Sequence, residues 1–328
     1  MPPDIQPAAV NLAMPNTDVQ EESLAVSFDV QFWGVRDQIA TPGKNTIRYG
    51  GNTSCVEMRV GKHSLIFDGG TGLRILGNHL LSRMPIESHI FFTHCHWDRI
   101  QGFPFFVPAF IPINHFHIYG ATASNGSSFQ QRLSKQMLGP NFPVPIQVMQ
   151  SKLDFYDLEI EEKQCIGNDI IIENMLLNHH HRSVGYRVTC LNKSVVYAMS
   201  SDYSLENNSP NTEKLLKLAD QADLLILASP RTVYTRTVYK GEGKGEGKGE
   251  GKGEGKGKGE GEIEQINPEF DKTWKFCISL AKEAGVKEVM ISLHNPDHSD
   301  DYLDRIDKQL KEIFPKASLA SEGMVVSI

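Results

Sequence analysis

Two histidines and an aspartate spaced by single residues, in His94-Cys95-His96-Trp97-Asp98, are the side chains best suited to chemistry. The apolar stretch before them, residues 90–93, predicts a short strand. Imidazoles and a carboxylate at the end of a strand can point at one ion, and these donors suit Zn²⁺ or a related divalent ion. The alternative interpretation is a polar strand end whose histidines are satisfied by hydrogen bonds.

Two more histidine groups also follow predicted strands. His179-His180-His181 comes after a strand at residues 170–177, and the segment His294-Asn295-Pro296-Asp297-His298 comes after one at residues 286–292. Loops at strand ends gather at one edge of a sheet, where binding sites are commonly built. A ligand from the first group would complete a three-histidine site, whereas an exposed polar turn is the plainer interpretation.

Composition excludes several classes of function. The chain has 328 residues, a net charge of -7 and 40% hydrophobic residues, which is enough to bury a large core. The acidic balance argues against binding nucleic acid through a broad basic surface, so tRNA is a disfavoured partner. Five cysteines without a CxxC pair favour a reduced, cytoplasmic location. No apolar run is long and continuous enough to span a bilayer, so no membrane association is expected.

Composition also divides the chain. Residues 1–27 have little periodicity and are predicted to be a flexible N-terminal arm. Residues 240–262 alternate glycine with lysine or glutamate and carry no apolar side chain, which predicts a disordered surface insertion. A tolerated loop expansion and a partner-binding tether are the two hypotheses for its role. The remainder, residues 28–328, is expected to form one domain.

Strand and helix patterns alternate through this domain. Strands are predicted at residues 28–33, 54–60, 64–67, 90–93, 170–177, 185–191, 194–199, 223–228 and 286–292. Helices are predicted at residues 127–138, 211–221 and 272–284, and a last helix capped by Ser299 runs to about residue 314. Strands grouped towards both ends with helices between them indicate two sheets covered by helices, rather than one doubly wound sheet.

Several longer motifs occur in an order that resembles a known family. They are Phe32-Trp33-Gly34-Val35-Arg36, Tyr49-Gly50-Gly51-Asn52-Thr53-Ser54-Cys55, Ile66-Phe67-Asp68-Gly69-Gly70-Thr71-Gly72, Thr93-His94-Cys95-His96-Trp97-Asp98, Gly102-Phe103-Pro104-Phe105-Phe106 and Pro296-Asp297-His298-Ser299-Asp300. The chain resembles the metallo-β-lactamase fold, in the branch of ribonuclease Z and related phosphodiesterases. The resemblance implies an α/β fold, an αββα four-layer sandwich with a metal site at one edge.

The resemblance also implies a set of ligands. Active members hold two ions that activate a bridging water. Carried over to this sequence, the first ion falls to His94, His96 and His179. Asp98, at the position of the aspartate that binds the second ion, is present as well and, in an active enzyme, is a catalytic residue. Asp68 corresponds to the carboxylate that orients a ligand imidazole.

The positions implied for the second ion depart from the family pattern. Arg99 stands where a ligand histidine is expected, Ser200 where the bridging aspartate is expected, and Leu293 where the C-terminal ligand histidine is expected. Asp271 or Lys272 stands where the family has a histidine near the leaving group. Asp202 could take the place of Ser200, because strand alternation keeps it on the same face, and His294 could replace Leu293 only through a bulge.

No shift of the alignment brings a metal ligand to the position of Arg99. Its guanidinium stays protonated and cannot ligate a metal. It puts a fixed positive charge at the second ion's position, facing Asp98 or a bound phosphate. The favoured hypothesis is therefore a degenerate protein, with one Zn²⁺ or none, retained to bind a small anionic ligand or a protein partner. The alternative hypothesis is an active metal-dependent hydrolase of phosphodiester or related ester bonds with a one-metal or rebuilt site. The oligomeric state stays open, a dimer included.

Overall fold

A computed structural model describes residues 26–178, 182–200, 209–228 and 268–328, with side chains from residue 274 onward in the last range. Nearly all of the predicted arm, the whole glycine-rich insertion and two candidate site residues, His179 and Asp202, lie outside the described residues. For Asp271 only the backbone is described.

The first sheet has seven strands within the described ranges, in the order β14-β1-β2-β3-β4-β5-β6. The strands β3 to β6 run parallel, and the others pair antiparallel. Their bounds are β1 (Phe28–Gly34), β2 (Cys55–Val60), β3 (His63–Phe67), β4 (Glu87–Phe91), β5 (His115–Ala121), β6 (Lys152–Leu158) and β14 (Val325–Ser327).

The second sheet also has seven strands in the described residues, in the order β13-β12-β11-β10-β9-β8-β7. Here β10 to β13 run parallel, and β7 to β10 pair antiparallel. Their bounds are β7 (Lys163–Ile166), β8 (Ile170–Asn178), β9 (Ser183–Cys190), β10 (Lys193–Ala198), β11 (Leu224–Ala228), β12 (Glu288–Ser292) and β13 (Ala317–Leu319).

Helices cover the outer faces of both sheets. The first sheet packs against α1 (Thr71–Leu80), α3 (Phe129–Lys135) and short 3-10 turns, while α4 (Pro210–Ala219), α5 (Pro268–Glu283) and α6 (Asp300–Ile313) cover the second. Apolar side chains from the two inner faces form the core between the sheets. Alternation along the strands supplies both faces, so the chain stacks as helix, sheet, sheet, helix. The predicted αββα four-layer sandwich is confirmed.

The sequence patterns located most elements but missed helix α1 and five strands: β5, β6, β7, β13 and β14. Two of them, β5 and β6, carry histidine, tyrosine and charged side chains on one face, which weakens the apolar pattern. The last helix begins as predicted, because the Ser299 hydroxyl accepts a hydrogen bond from the Tyr302 N–H at 3.3 Å.

Close backbone packing explains part of the glycine-rich motif after β3. A Cβ on Gly70 would stand 2.5 Å from the Asp98 carbonyl oxygen, and one on Gly102 would stand 1.8 Å from the Gly70 carbonyl oxygen. Any side chain at these positions would push the loop after β4 away from the loop after β3. None of the helices in the described part of the chain combines the length and apolar character needed to cross a membrane.

Candidate functional site

The loop that follows β4 gathers three of the four predicted ligands, and the fourth, His179, lies outside the described residues. One donor atom each of His94, His96 and Asp98 lies within 4.8 Å of the others. The two imidazole rings meet edge to face, with their centroids 4.4 Å apart. His96 stands at the start of the short helix α2 (Trp97–Ile100), and Asp98 lies in its first turn. We call these three residues the loop site.

A hydrogen-bond chain holds the His94 imidazole. The Thr93 hydroxyl lies 2.9 Å from both His94 Nδ1 and Asp68 Oδ1, and the Thr93 N–H donates to the same carboxylate oxygen at 2.8 Å. If the hydroxyl proton points to the carboxylate, the imidazole donates its Nδ1–H to the hydroxyl and keeps a lone pair on Nε2. Asp68 therefore acts on the histidine through Thr93, one step further away than the resemblance implied.

Asp68 is the centre of a wider buried network. Its Oδ2 accepts a hydrogen bond from the Tyr197 hydroxyl at 3.0 Å, and that hydroxyl lies 2.9 Å from the Ser54 hydroxyl. Tyr197 belongs to β10, so the second sheet supports a loop of the first. Burial raises the pKa of Asp68 to about 6, although Arg99 and the hydrogen-bond donors oppose the rise.

Arg99 is almost completely buried, at 1% exposure. Its guanidinium nitrogens lie 3.3 Å from Asp98, 3.7 Å from Asp37 and 3.8 Å from Asp68. Burial alone would lower the pKa of Arg99, but these carboxylates outweigh it and raise the pKa above its ordinary value. Arg99 thus pairs with Asp98, and its burial leaves almost no surface that a phosphate could contact.

The donor set fits one ion at the loop site. Asp98 Oδ2 is buried and accepts no hydrogen bond from the described residues, while Arg99 Nε lies 3.3 Å away. Two imidazoles and such a carboxylate match the nitrogen and oxygen donors that Zn²⁺ takes. A bound Zn²⁺ would supply a Lewis-acidic centre there.

Comparison with solved structures decides the architecture. YhfI from Bacillus subtilis, a metallo-β-lactamase fold protein, is 17% identical, with 92% of this chain and 100% of that chain covered and a TM-score of 0.59. The short form of human tRNase Z is 16% identical, with coverage of 92% and 99% and a TM-score of 0.56. Zn²⁺-bound PqqB from Methylobacterium extorquens is 12% identical, with coverage of 92% and 100% and a TM-score of 0.59. The chain has the metallo-β-lactamase fold. Neither a scan against protein-family models nor a search of curated proteins found a match.

A two-metal protein of the metallo-β-lactamase fold needs ligands for a second ion. At the corresponding positions of this chain, the side chains are unsuitable as metal ligands. Arg99 has no lone pair to offer, and the Leu293 side chain lies in the core between the sheets at 1% exposure. Ser200 is buried just after β10 and has a neutral hydroxyl in place of a carboxylate. The described residues therefore leave the second ion short of ligands.

His294 does not take over from Leu293. Leu293 has the left-handed backbone angle φ of 60°, yet the histidine after it is fully buried and its Nε2–H donates to the Ala320 carbonyl at 2.7 Å. Burial lowers the pKa of His294 to about 3, so the ring stays neutral. The structure places this side chain against Tyr49 and outside the loop site.

Sequence reasoning missed a second group of metal-type donors. Glu87 on β4 and His115 and His117 on β5 also present donor atoms within 4.8 Å of one another. We call these three residues the strand cluster. The signal was available in part, because His115-Phe116-His117 repeats the spacing of the first histidine pair, and alternation in a strand puts both rings on one face.

Proposed function

We propose that this protein is a catalytically degenerate member of its fold class that holds one Zn²⁺ at the loop site and binds a small anionic ligand there. The observation that supports the degenerate, one-ion site is the Arg99 guanidinium, buried among the carboxylates of Asp37, Asp68 and Asp98. A permanent cation in this position compensates the buried carboxylates that a second ion would otherwise neutralise. Hydrolysis by a pair of ions would then lack both the second ion and its bridging water.

The chain's own residues suit binding. His94 is oriented by Thr93, and His96 is partly exposed beside Trp97, whose surface is 59% exposed. Zn²⁺ with three protein ligands keeps a position for an oxygen of a phosphate or carboxylate, and the exposed indole offers an apolar surface to the rest of that ligand. A protein partner carrying an acidic side chain would use the same contacts.

A second candidate is an active one-metal hydrolase of phosphodiester or related ester bonds. The gathering of His94, His96 and Asp98 in one loop favours it, as does the tRNase Z among the structural neighbours. Asp98 would have to act as the catalytic carboxylate, but Arg99 Nε lies 3.3 Å from its Oδ2. Contact with this guanidinium occupies the oxygen that a reacting water would have to approach, which disfavours a catalytic role for the carboxylate.

Metal content and hydrolysis, measured on the same samples, test the proposal. The full chain is loaded with Zn²⁺, and turnover of bis(p-nitrophenyl) phosphate and binding of inorganic phosphate are followed by absorbance and calorimetry. In full-length protein whose strand cluster is removed by Glu87→Gln/His115→Gln/His117→Gln, we expect phosphate binding that requires Zn²⁺ and disappears when His94→Gln/His96→Gln is added, with no turnover above the buffer rate. His79→Gln is the matched control, because His79 is an exposed histidine on α1.

Zn²⁺-dependent turnover that His94→Gln/His96→Gln abolishes would overturn the degenerate assignment in favour of the one-metal hydrolase. Phosphate binding that is equal with and without Zn²⁺ would overturn the ligand role of the loop site.

A further inference from the structure

The strand cluster stands at the start of two parallel neighbours, β4 and β5. Glu87 pairs with His115 across the ladder, and His117 lies two residues further along the same face. The loop site follows the opposite end of β4. Between Glu87 and Phe91 alone the strand advances by about 13 Å, at roughly 3.3 Å per residue, so the two groups are separate.

The donor atoms of the strand cluster have the separations that ligands of one ion show. Glu87 Oε1 lies 3.3 Å from His117 Nε2 and 3.7 Å from His115 Nδ1. Ligands bonded at about 2.1 Å around a tetrahedral Zn²⁺ stand about 3.4 Å apart. The carboxylate and both imidazoles therefore need little movement to share an ion.

The ring nitrogens that face away from Glu87 also have partners. His115 Nε2 lies 2.7 Å from Asp154 Oδ2, and His117 Nδ1 lies 3.2 Å from the Tyr156 hydroxyl. An N–H donated to these oxygens leaves the opposite nitrogen of each ring with its lone pair directed at Glu87. Carboxylate and hydroxyl partners of this kind orient histidines that ligate metals.

The plain alternative is a set of surface ion pairs between protonated histidines and the carboxylates. The ring packing opposes it. The centroids of His115 and His117 are 4.1 Å apart, and His89 stacks on His117 at 4.6 Å. Protonating both of these close rings would put like charges side by side, whereas neutral rings can share one cation.

We propose that Glu87, His115 and His117 form a second metal site, for a divalent transition ion such as Zn²⁺, on a partly exposed surface at the start of β4 and β5. Three protein ligands leave a coordination position for water or an exogenous ligand, and the Glu87 side chain is 68% exposed, which gives an ion access from solution. This site is independent of the ligand role proposed for the loop site.

Zn²⁺ titration of a chain with the loop site disabled tests the proposal. In the full-length His94→Gln/His96→Gln protein, we expect one ion per chain with a dissociation constant below about 10 µM by calorimetry. Adding His115→Gln/His117→Gln should remove this ion, whereas adding His79→Gln should leave it in place. Circular dichroism melts of every variant without metal show that each one folds.

A conservative change beyond the ligands separates a metal site from an ion-pair cluster. Asp154→Asn keeps the shape but weakens the hold on the His115 ring, and we expect the Zn²⁺ affinity to fall by about 10–100-fold. Two results would overturn the proposal: a loop-disabled protein that binds no ion tighter than about 10 µM, or binding that persists unchanged in His115→Gln/His117→Gln.

Discussion

The loop site and the strand cluster use the same histidine spacing in opposite surroundings. His94 and His96 lie in a loop that needs support from Asp68, Thr93 and the second sheet. His115 and His117 lie on β5, where alternation alone puts both rings on one face. The loop site has a built-in cation, whereas the strand cluster is partly open to solvent through Glu87.

Burial determines whether a group of carboxylates is neutralised by a cation of the chain itself or by an ion from solution. Asp37, Asp68 and Asp98 are buried, so their charge must be compensated at the moment of folding, and Arg99 does so within the chain. Glu87 stays hydrated, so its charge needs no cation during folding and can be neutralised afterwards by an ion from solution. The loop site therefore has a permanent cation, whereas any cation in the strand cluster is exchangeable.

Removing the permanent charge should have the largest effect. Arg99→Met leaves three buried carboxylates without their cation, and we expect the free energy of unfolding to fall by about 3–5 kcal/mol in urea titrations. Glu87→Gln in the strand cluster and Arg74→Met on the exposed face of α1 should each change it by less than about 0.5 kcal/mol. A loss below about 1 kcal/mol for Arg99→Met would mean that the cation is not what compensates the carboxylates.

The buried carboxylate network should also respond to pH. The pKa of Asp68, raised to about 6 by burial, lies above the ordinary value of about 3.9 expected in the unfolded chain. The folded state thus binds the proton more tightly between these values. The contribution of Asp68 to the free energy of unfolding should rise as the pH falls from about 6 to 4, by at most about 1.4 kcal/mol per pH unit.

Urea titrations of metal-free protein across this pH range, compared with Asp68→Asn, measure that contribution. The Asp68→Asn protein should lack this part of the slope. Identical slopes in the two proteins, or a slope of opposite sign, would show that the carboxylate is not held with a raised pKa.

The substitution Thr93→Val should affect the loop site and leave the strand cluster unchanged. The substitution keeps the shape but removes the hydroxyl between Asp68 and His94, so the Zn²⁺ affinity of the loop site should fall by about 10–100-fold. The same change should leave the strand cluster's affinity as it was. Thr189→Val on β9 is the matched control, and an unchanged loop-site affinity in Thr93→Val would show that His94 needs no such orientation.

The loop site was predictable from the sequence because its three residues lie within one five-residue segment that follows an apolar strand. The strand cluster was not, although His115 and His117 repeat the spacing, because Glu87 joins them only through the register of β4 on β5. That register depends on packing between distant segments, which no local pattern encodes. The motifs also located Arg99 but not its burial, since Asp37 and Asp68 reach it from separate loops.

Counting zinc in a chain without the strand cluster shows whether Arg99 stands where a second ion would bind. Glu87→Gln/His115→Gln/His117→Gln protein is dialysed against excess Zn²⁺, freed of loose metal, and analysed by elemental mass spectrometry beside its His94→Gln/His96→Gln derivative. We expect one ion per chain in the first protein and none in the second. Two ions per chain in the first protein, both lost in the second, would contradict this expectation.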